Sequence, residues 1–464
     1  MAAPSGVCFT LVRITLVYPF FKPFRDNSIF RFPPLGLGYI ASALKQKNIS
    51  VELVDCTFLT FEQAIAKVRS SKPDIIGFYS MFSMKKTTIE MAKLLRNDCR
   101  LLVVGGPLPT LEPSGYLEAF DIAVIGEGEE AMIDIAESYA QDIDISQISG
   151  IAYVEKGETR LTPLRKPIEN LNALPFPARD QFDNDSYKQY YIRRFGYSIS
   201  PLISSRGCPF SCDFCSRPVF GQSFRTRSAA NIVDEIEEII KLGYSRVWFA
   251  DDCFTLNRSQ VMAVCDELVK RDLRIEWECL SRVDTMDSQV ASRMRSAGCV
   301  RVFFGIESGT NSILDLMRKQ ITVEQARKAV YNAKEAGLQV GAFFILGYPG
   351  ENDDTVLRTV RFASSLPLDY LSFTLPYPIP GTSLFERVKN NGGFIVDDYE
   401  EPKNWAFIRH KLLYHSGFSE GKLKFAIGKA QVQFYGRKYL GKKAYDIVGL
   451  PLEHVTDSAF KLMR

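Results

Sequence analysis

The sequence predicts an α/β protein in three parts: an N-terminal doubly wound, Rossmann-like sheet, a partial (β/α)6 barrel of TIM type, and a mainly helical C-terminal region. Three observations predict it. Apolar runs alternate with helical periods from residue 7 to about 150, a polar and proline-rich stretch covers 151–195, and the alternation restarts at 196 with six strand–helix repeats. The barrel is expected over 196–385 and the C-terminal region over 386–464. A chain of 464 residues exceeds what one core organises, and its 46% apolar content is ample for several.

In the first part VCFTLVRITLVYP, VELVDC, DIIGFYS, RLLVVGG and DIAVIG read as strands, with helical patterns such as PLGLGYIASALKQKN, FEQAIAKVRSS and TIEMAKLLRND between them. The opening apolar run is interrupted by Arg13 and no small-residue cleavage site follows it, so it reads as a first strand; no membrane span is expected. In such sheets ligands lie beyond the carboxyl ends of the strands. The loops at those ends are 18–38, 79–84, 105–110 and 126–130, where Gly105, Gly106, Gly126 and Gly128 permit close backbone approach to a large flat ligand. Segment 151–195 reads as a linker, with a hairpin at Lys156-Gly157 and the run LPFPAR at 174–179; Tyr187, Tyr190 and Tyr191 are expected to pack between domains.

In the second part strands are expected near 200–205, 245–250, 274–280, 300–305, 339–345 and 369–375. Helices are expected over 229–242, 259–270, 286–297, 323–336 and 353–366. A parallel barrel keeps its chemistry at the carboxyl ends of its strands. There stand Asp251 and Asp252 in WFADDCF, Glu278 and Arg282 in IEWECLSRVD, Glu307 in RVFFGIESG, Gly347 and Glu351 in LGYPGEN, and Tyr377 in TLPYPIP. A solvated loop or a helix cap is the commoner fate of such carboxylates. Beyond 380 we expect a short helix at 381–389, a turn-rich loop NNGGFIVDDYEEPKNW, and an amphipathic helix over 419–440. That helix is expected to expose Lys422, Lys424, Lys429, Arg437 and Lys438 to solvent.

The first barrel strand runs into SSRGCPFSCDFCSRP at 204–218, which sets Cys208, Cys212 and Cys215 in C-x3-C-x2-C spacing with no fourth cysteine or histidine nearby. Zinc sites supply four protein ligands, mostly in paired CxxC or CxxH form, whereas a cubane held by three cysteines keeps one iron open. The bland alternatives are a closed zinc knuckle or structural cysteines. Cys8, Cys56, Cys99, Cys253, Cys265, Cys279 and Cys299 stand singly in apolar segments and read as inert thiols. Ten cysteines without a regular framework fit a reducing, oxygen-poor cytoplasmic interior. A net charge of +3 makes no case for nucleic-acid binding.

CxxxCxxC with Phe214 before the last cysteine resembles the signature of radical S-adenosyl-L-methionine (SAM) enzymes. PPLGLGYIASAL, VGGPLPTLEP and AVIGEGEEAM, in that order upstream, resemble the cobalamin-binding domain of one large subfamily, the class B methylase type. The resemblance implies a [4Fe–4S] cluster on Cys208, Cys212 and Cys215 and SAM on its open iron. It also implies SAM contacts from Phe214, Asp251, Asp252, Arg282, Glu307, Gly347 and Glu351, with Asp251 and Asp252 at the methionine amino end, Glu307 at the ribose and Arg282 at the carboxylate. Cobalamin (methylcobalamin) contacts would come from Leu35, Gly36, Tyr79, Ser80, Met81, Phe82, Ser83, Gly105, Gly106, Pro107, Leu108, Gly126, Glu127 and Gly128. Two departures from the subfamily stand out. There is no DxHxxG motif, all three histidines (His410, His415 and His454) falling after the barrel, and Leu108 replaces a polar residue of GGPHPT.

The activity implied is methylation of an unactivated carbon: a 5′-deoxyadenosyl radical removes hydrogen and methylcobalamin delivers the methyl group, with an electron donor of ferredoxin or flavodoxin type. Length, the single cluster motif and the C-terminal region resemble the members that methylate a glutamine carbon in methyl-coenzyme M reductase. Protein residues and small molecules both stay open as substrates, and Tyr377 is a candidate beside substrate or cluster. Three alternatives stand: a cobalamin-dependent cyclase or oxidase, a tRNA or protein methylthiotransferase, and a non-enzymatic cobalamin or iron sensor.

Overall fold

The structure, a computed structural model, describes residues 12–22, 28–217, 219–393 and 411–463. Cys8, His410 and most of the turn-rich loop expected after residue 390 lie outside them. The chain divides into two compact units: residues 1–201 with 217–227 and 242–244, and residues 202–216 with 228–241 and 245–464.

The first unit is a seven-stranded sheet made of β1 (Arg13–Tyr18), β2 (Ser50–Asp55), β3 (Ile75–Tyr79), β4 (Leu101–Gly105), β5 (Ile122–Val124), β6 (Ile151–Glu155) and β7 (Glu158–Leu161), in the order β2-β1-β3-β4-β5-β6-β7. The first five strands are parallel and the last two join antiparallel. Strand side chains alternate between faces, and both faces here are apolar. Ile14, Leu16, Ile75 and Val103 face α1 (Leu35–Gln46) and α5 (Glu129–Gln141). Val17, Ile76, Phe78 and Val104 face α2 (Phe61–Ser70) and α3 (Lys85–Leu95). A short helix α4 (Pro107–Leu111) follows β4.

Segment 151–195 departs from a simple linker. Its hairpin is present, turned by Lys156 (φ 52°) and Gly157 (φ 82°), and it extends the sheet. Helix α6 (Asn184–Phe195) was not expected; Asp183 caps it by accepting from Ser186 N, and Gly196 (φ 78°) ends it. Its tyrosines pack inside the first unit. Tyr187 donates to Asp55 at 2.7 Å, and Tyr190 and Tyr191 donate to the carbonyls of Ser28 and Ile29, each at 2.9 Å. Each hydroxyl thus has a partner on its own unit.

Strand β8 (Ile199–Leu202) and the two-residue strands β9 (Ser205–Arg206) and β10 (Arg225–Thr226) come next. The sheet of the second unit carries β11 (Arg246–Phe249), β12 (Glu276–Ser281), β13 (Cys299–Glu307), β14 (Gln339–Ile345) and β15 (Tyr370–Thr374), all parallel and adjacent in chain order. The Leu202 carbonyl at the end of β8 accepts from Ala250 N at 2.7 Å. Helices α7 (Ala229–Lys241), α8 (Arg258–Lys270), α9 (Ser288–Ser296), α10 (Asn311–Leu316), α11 (Val323–Glu335) and α12 (Asp353–Ser365) alternate with these strands. Gly341 is required on β14: a Cβ there would sit 2.3 Å from the Phe303 ring of β13.

After the sheet come α13 (Ser383–Asn390), α14 (Glu420–Leu440) and α15 (Lys442–Leu462). The expectation of a fully solvated basic face on α14 fails at two lysines. Lys422 is buried against Asp353 (2.8 Å), and Lys429 against Asp457 (2.6 Å) and the Glu453 carbonyl (3.0 Å). Among the described residues no helix is long and apolar enough to cross a membrane.

Candidate functional site

The cysteine loop leaves β9 through Gly207, whose φ of 84° favours glycine. Cys208 and Cys212 are half-buried and Cys215 is exposed; Cys215 N donates to the Cys212 carbonyl at 3.2 Å. Among the described residues, no three His, Cys, Asp or Glu side chains are drawn together as they would be around a metal ion. The donor chemistry nevertheless fits an iron–sulfur cluster. Three thiols share one short loop, and two buried cations stand by: Arg282, whose guanidinium lies 3.5 Å from the centre of the Phe210 ring, and Lys319, whose ammonium lies 5.8 Å from that of Phe214. Burial raises the Cys212 thiol and outweighs Lys319 and Arg282, which act to lower it.

Glu307 closes β13 in the left-handed region (φ 70°), which folds its carboxylate back along the strand. A Cβ at Gly305 would lie 2.5 Å from Glu307 Oε1 and 3.0 Å from Lys319 Nζ, so glycine there lets the two side chains lie over the strand. That oxygen accepts from Lys319 Nζ at 2.8 Å, and both side chains are buried. Sequence reasoning missed Lys319. It stands in MRKQ with no periodic relation to a strand end, and the left-handed Arg318 and Gln320 on either side turn it inward.

The other residues expected around SAM divide by what they touch. Arg282 is committed elsewhere: Nε and Nη2 each lie 2.9 Å from Asp284, and Nη2 also donates to the Lys319 carbonyl at 3.0 Å. Asp251 is buried and holds the exit of the first barrel strand, accepting from Ser204 N and Ser205 N at 2.7 Å and from the Ser204 hydroxyl at 2.5 Å; burial raises its carboxyl to about 6. Asp252 and Tyr377 are exposed. Glu278 is buried on β12 between Arg246 (2.8 Å) and Arg301 (3.2 Å). Gly347 (φ 86°) would place a Cβ 2.5 Å from Leu423. The buried Glu351 pins that loop by accepting from Gly347 N (2.6 Å) and Tyr348 N (2.9 Å), and desolvation raises its carboxyl to about 8.

In the first unit, Tyr79 ends β3, and its ring lies where a Cβ on Gly106 (φ 108°) would come within 3.1 Å. Burial pushes the Tyr79 phenol up to about 12, so it is a neutral hydroxyl. Ser80 is buried, with Tyr116 OH at 2.7 Å and Thr88 Oγ1 at 3.2 Å. Met81, Phe82, Gly105, Pro107, Gly126 and Gly128 are half-buried, Gly36 and Ser83 are exposed, and Leu35 is buried. A Cβ on Gly36 would meet nothing within 4 Å, and one on Gly126 only the Val219 carbonyl at 3.8 Å, so no neighbouring atom crowds either position. Two expected contacts are corrected. Leu108, on the first turn of α4, is 1% exposed and packs in the core with Ile76 and Tyr116. Glu127 is paired in the interior with Arg225 (3.0 Å) and accepts from Ile168 N (2.7 Å).

Comparison with known proteins follows the same division. Residues 23–136 match the B12 binding domain and residues 202–363 the radical SAM superfamily. A methyltransferase of Pyrococcus horikoshii, itself uncharacterised, is 34% identical over 369 residues, 77% of this chain and 79% of that protein. The anaerobic magnesium-protoporphyrin IX monomethyl ester cyclase of Rubrivivax gelatinosus is 29% identical, over 81% of this chain and 70% of its own. Two solved structures share the fold: the cobalamin-dependent radical enzyme OxsB (TM-score 0.74, 20% identity, 98% of this chain and 73% of that one) and the methyltransferase TsrM of Kitasatospora setae (TM-score 0.72, 18% identity, 91% and 88%).

Proposed function

Since the chain belongs to the radical SAM superfamily, in the group that carries a B12-binding domain ahead of the radical SAM domain, we propose that it methylates an unactivated carbon of a protein residue. Its cofactors are SAM, a [4Fe–4S] cluster and cobalamin, and it needs an external reductant. When bound, these groups supply the electron that opens SAM to a 5′-deoxyadenosyl radical and the methyl group to be transferred.

In this proposal Cys208, Cys212 and Cys215 hold the cluster, and the Lys319–Glu307 and Arg282–Asp284 pairs stand behind the cysteine loop. Glu307 accepts from the ribose hydroxyls. Lys319, an ammonium with three donors of which Glu307 takes one, donates to the SAM carboxylate, the role the sequence had suggested for Arg282. Gly347 lets the chain approach the adenine side and Glu351 fixes that loop, while Asp251 acts one step removed by setting the course of Ser204 and Ser205 into the cysteine loop. Tyr79, Gly105, Gly106 and Gly126 would carry the corrin; with no histidine before residue 410, none of them places imidazole on cobalt.

The observation that carries the reading is the cysteine loop backed by a buried Lys319–Glu307 pair, in a chain that also has a B12-binding domain. The acceptor we favour is a glutamine backbone carbon, as in methyl-coenzyme M reductase, with the electron supplied by a ferredoxin or flavodoxin; the single cluster motif supports it. Ring closure is the second reading, favoured by the identity with magnesium-protoporphyrin cyclases. The test is anaerobic turnover with SAM carrying a deuterated methyl group, read by mass spectrometry of the acceptor. A labelled methyl on carbon supports methylation, and loss of hydrogen without label supports cyclisation. The purified protein is expected to hold about four irons and one cobalamin; about eight irons without corrin absorbance would point to a methylthiotransferase.

A further inference from the structure

Asp213 lies between Cys212 and Phe214, inside the C-x2-C part of the cysteine motif. An acidic residue on a loop would ordinarily face water, yet no part of this side chain is exposed. It is tied to three separate elements. Its N–H donates to the Met317 carbonyl at 3.0 Å, just beyond α10, and its carbonyl accepts from Leu384 N of α13 at 2.9 Å. Its carboxylate accepts from the Tyr348 hydroxyl in the loop after β14 and from the Arg387 guanidinium of α13, partners 135 and 174 residues away.

The chain of bonds continues. Tyr348 N and Gly347 N both donate to Glu351, and the Tyr414 hydroxyl donates to the Gly347 carbonyl at 2.7 Å. An unbroken run of hydrogen bonds thus joins the cysteine loop to the loop of Gly347–Glu351. A buried ion pair is a poor way to gain stability, but it is an effective way to fix register, and groups one bond removed from metal ligands set the ligands' orientation.

We propose that Asp213, with Arg387 and Tyr348, is a positioning device that fixes the cysteine loop against the Gly347–Glu351 loop, setting the cluster relative to the adenine side of SAM. Helix α13, which lies outside the strand–helix repeats, thereby belongs to the cofactor machinery. This rests on the function proposed above.

The test uses the full-length, anaerobically reconstituted protein and the variants Tyr348→Phe, Arg387→Gln and Arg387→Lys. Iron content, the EPR spectrum of the reduced cluster with and without SAM, and the Kd for SAM are measured. Expected for Tyr348→Phe and Arg387→Gln are wild-type iron, an altered SAM-induced EPR change, and SAM binding weakened about tenfold to hundredfold; Arg387→Lys, which keeps the charge, should return toward wild type. Wild-type spectra and Kd in both Tyr348→Phe and Arg387→Gln would overturn the proposal, as would loss of iron in parallel with loss of folding in Tyr348→Phe, which deletes a single hydroxyl. Absence of any SAM-induced change in the wild-type protein would instead refute the function on which it rests.

Discussion

Glu351 offers a test of the electrostatics that needs no substrate. Its carboxyl is raised from an ordinary 4.5 to about 8 because desolvation outweighs the hydrogen bond from Gly347 N. One of its oxygens is buried without a hydrogen-bond partner among the described residues. A proton therefore stays on the folded protein at pH values where the unfolded chain has released it. Stability from this group is complete below pH 4.5, falls as pH rises toward about 8, and is level beyond. At about 1.4 kcal/mol per pH unit, the window from 4.5 to about 8 amounts to roughly 5 kcal/mol. Glu351→Gln keeps an oxygen to accept from Gly347 N and Tyr348 N but cannot titrate. Urea unfolding of both proteins under anaerobic conditions, from pH 5 to 9, should show the variant gaining on wild type as pH rises, by a few kcal/mol in all. Parallel pH profiles would refute the reasoning, because they would mean that the carboxyl ionises in the fold at its ordinary value.

Three further outcomes follow from the geometry. Lys319→Met leaves Glu307 buried without its cation, so SAM affinity, read by equilibrium dialysis, should fall at least about tenfold and stability by about 3–5 kcal/mol; unchanged SAM binding would remove Lys319 from the site. Gly106→Ala sets a methyl 2.7 Å from the Ser80 carbonyl at a φ of 108°, so cobalamin retention, read by corrin absorbance, should drop while iron content holds. Cys212→Ala should abolish 5′-deoxyadenosine formation while cobalamin stays bound, and retained SAM cleavage would contradict its role as a ligand.

The strands were legible because their side-chain pattern is local: Ile75 and Ile76, or Val103 and Val104, show within two residues that both faces of a strand are apolar. The cysteine loop was legible from spacing alone. Some of what failed depended on a partner far away in sequence, and some on local context that masked the signal. Lys422 and Lys429 fall on a helix that reads as solvated until Asp353 and Asp457 fold against it. Arg282 stands near a strand end as a ligand-binding cation would, yet Asp284, two residues on, takes it. Leu108 sits in a run with two glycines and two prolines that reads as loop, and a single helical turn was enough to send its side chain inward. Asp183 followed by Ser186, with Gly196 thirteen residues after the cap, is a helix signal that the proline-rich context masked.

Burial of Lys429 has a practical consequence. Its ammonium meets Asp457, Thr456 and the carbonyl of Glu453, all on α15, so removing α15 would strip Lys429 of these partners and uncover the face of α14 that packs against it. Shortened versions of the protein that stop after residue 440 should aggregate instead of yielding a trimmed enzyme. The last two helices are best treated as one indivisible block when the chain is engineered.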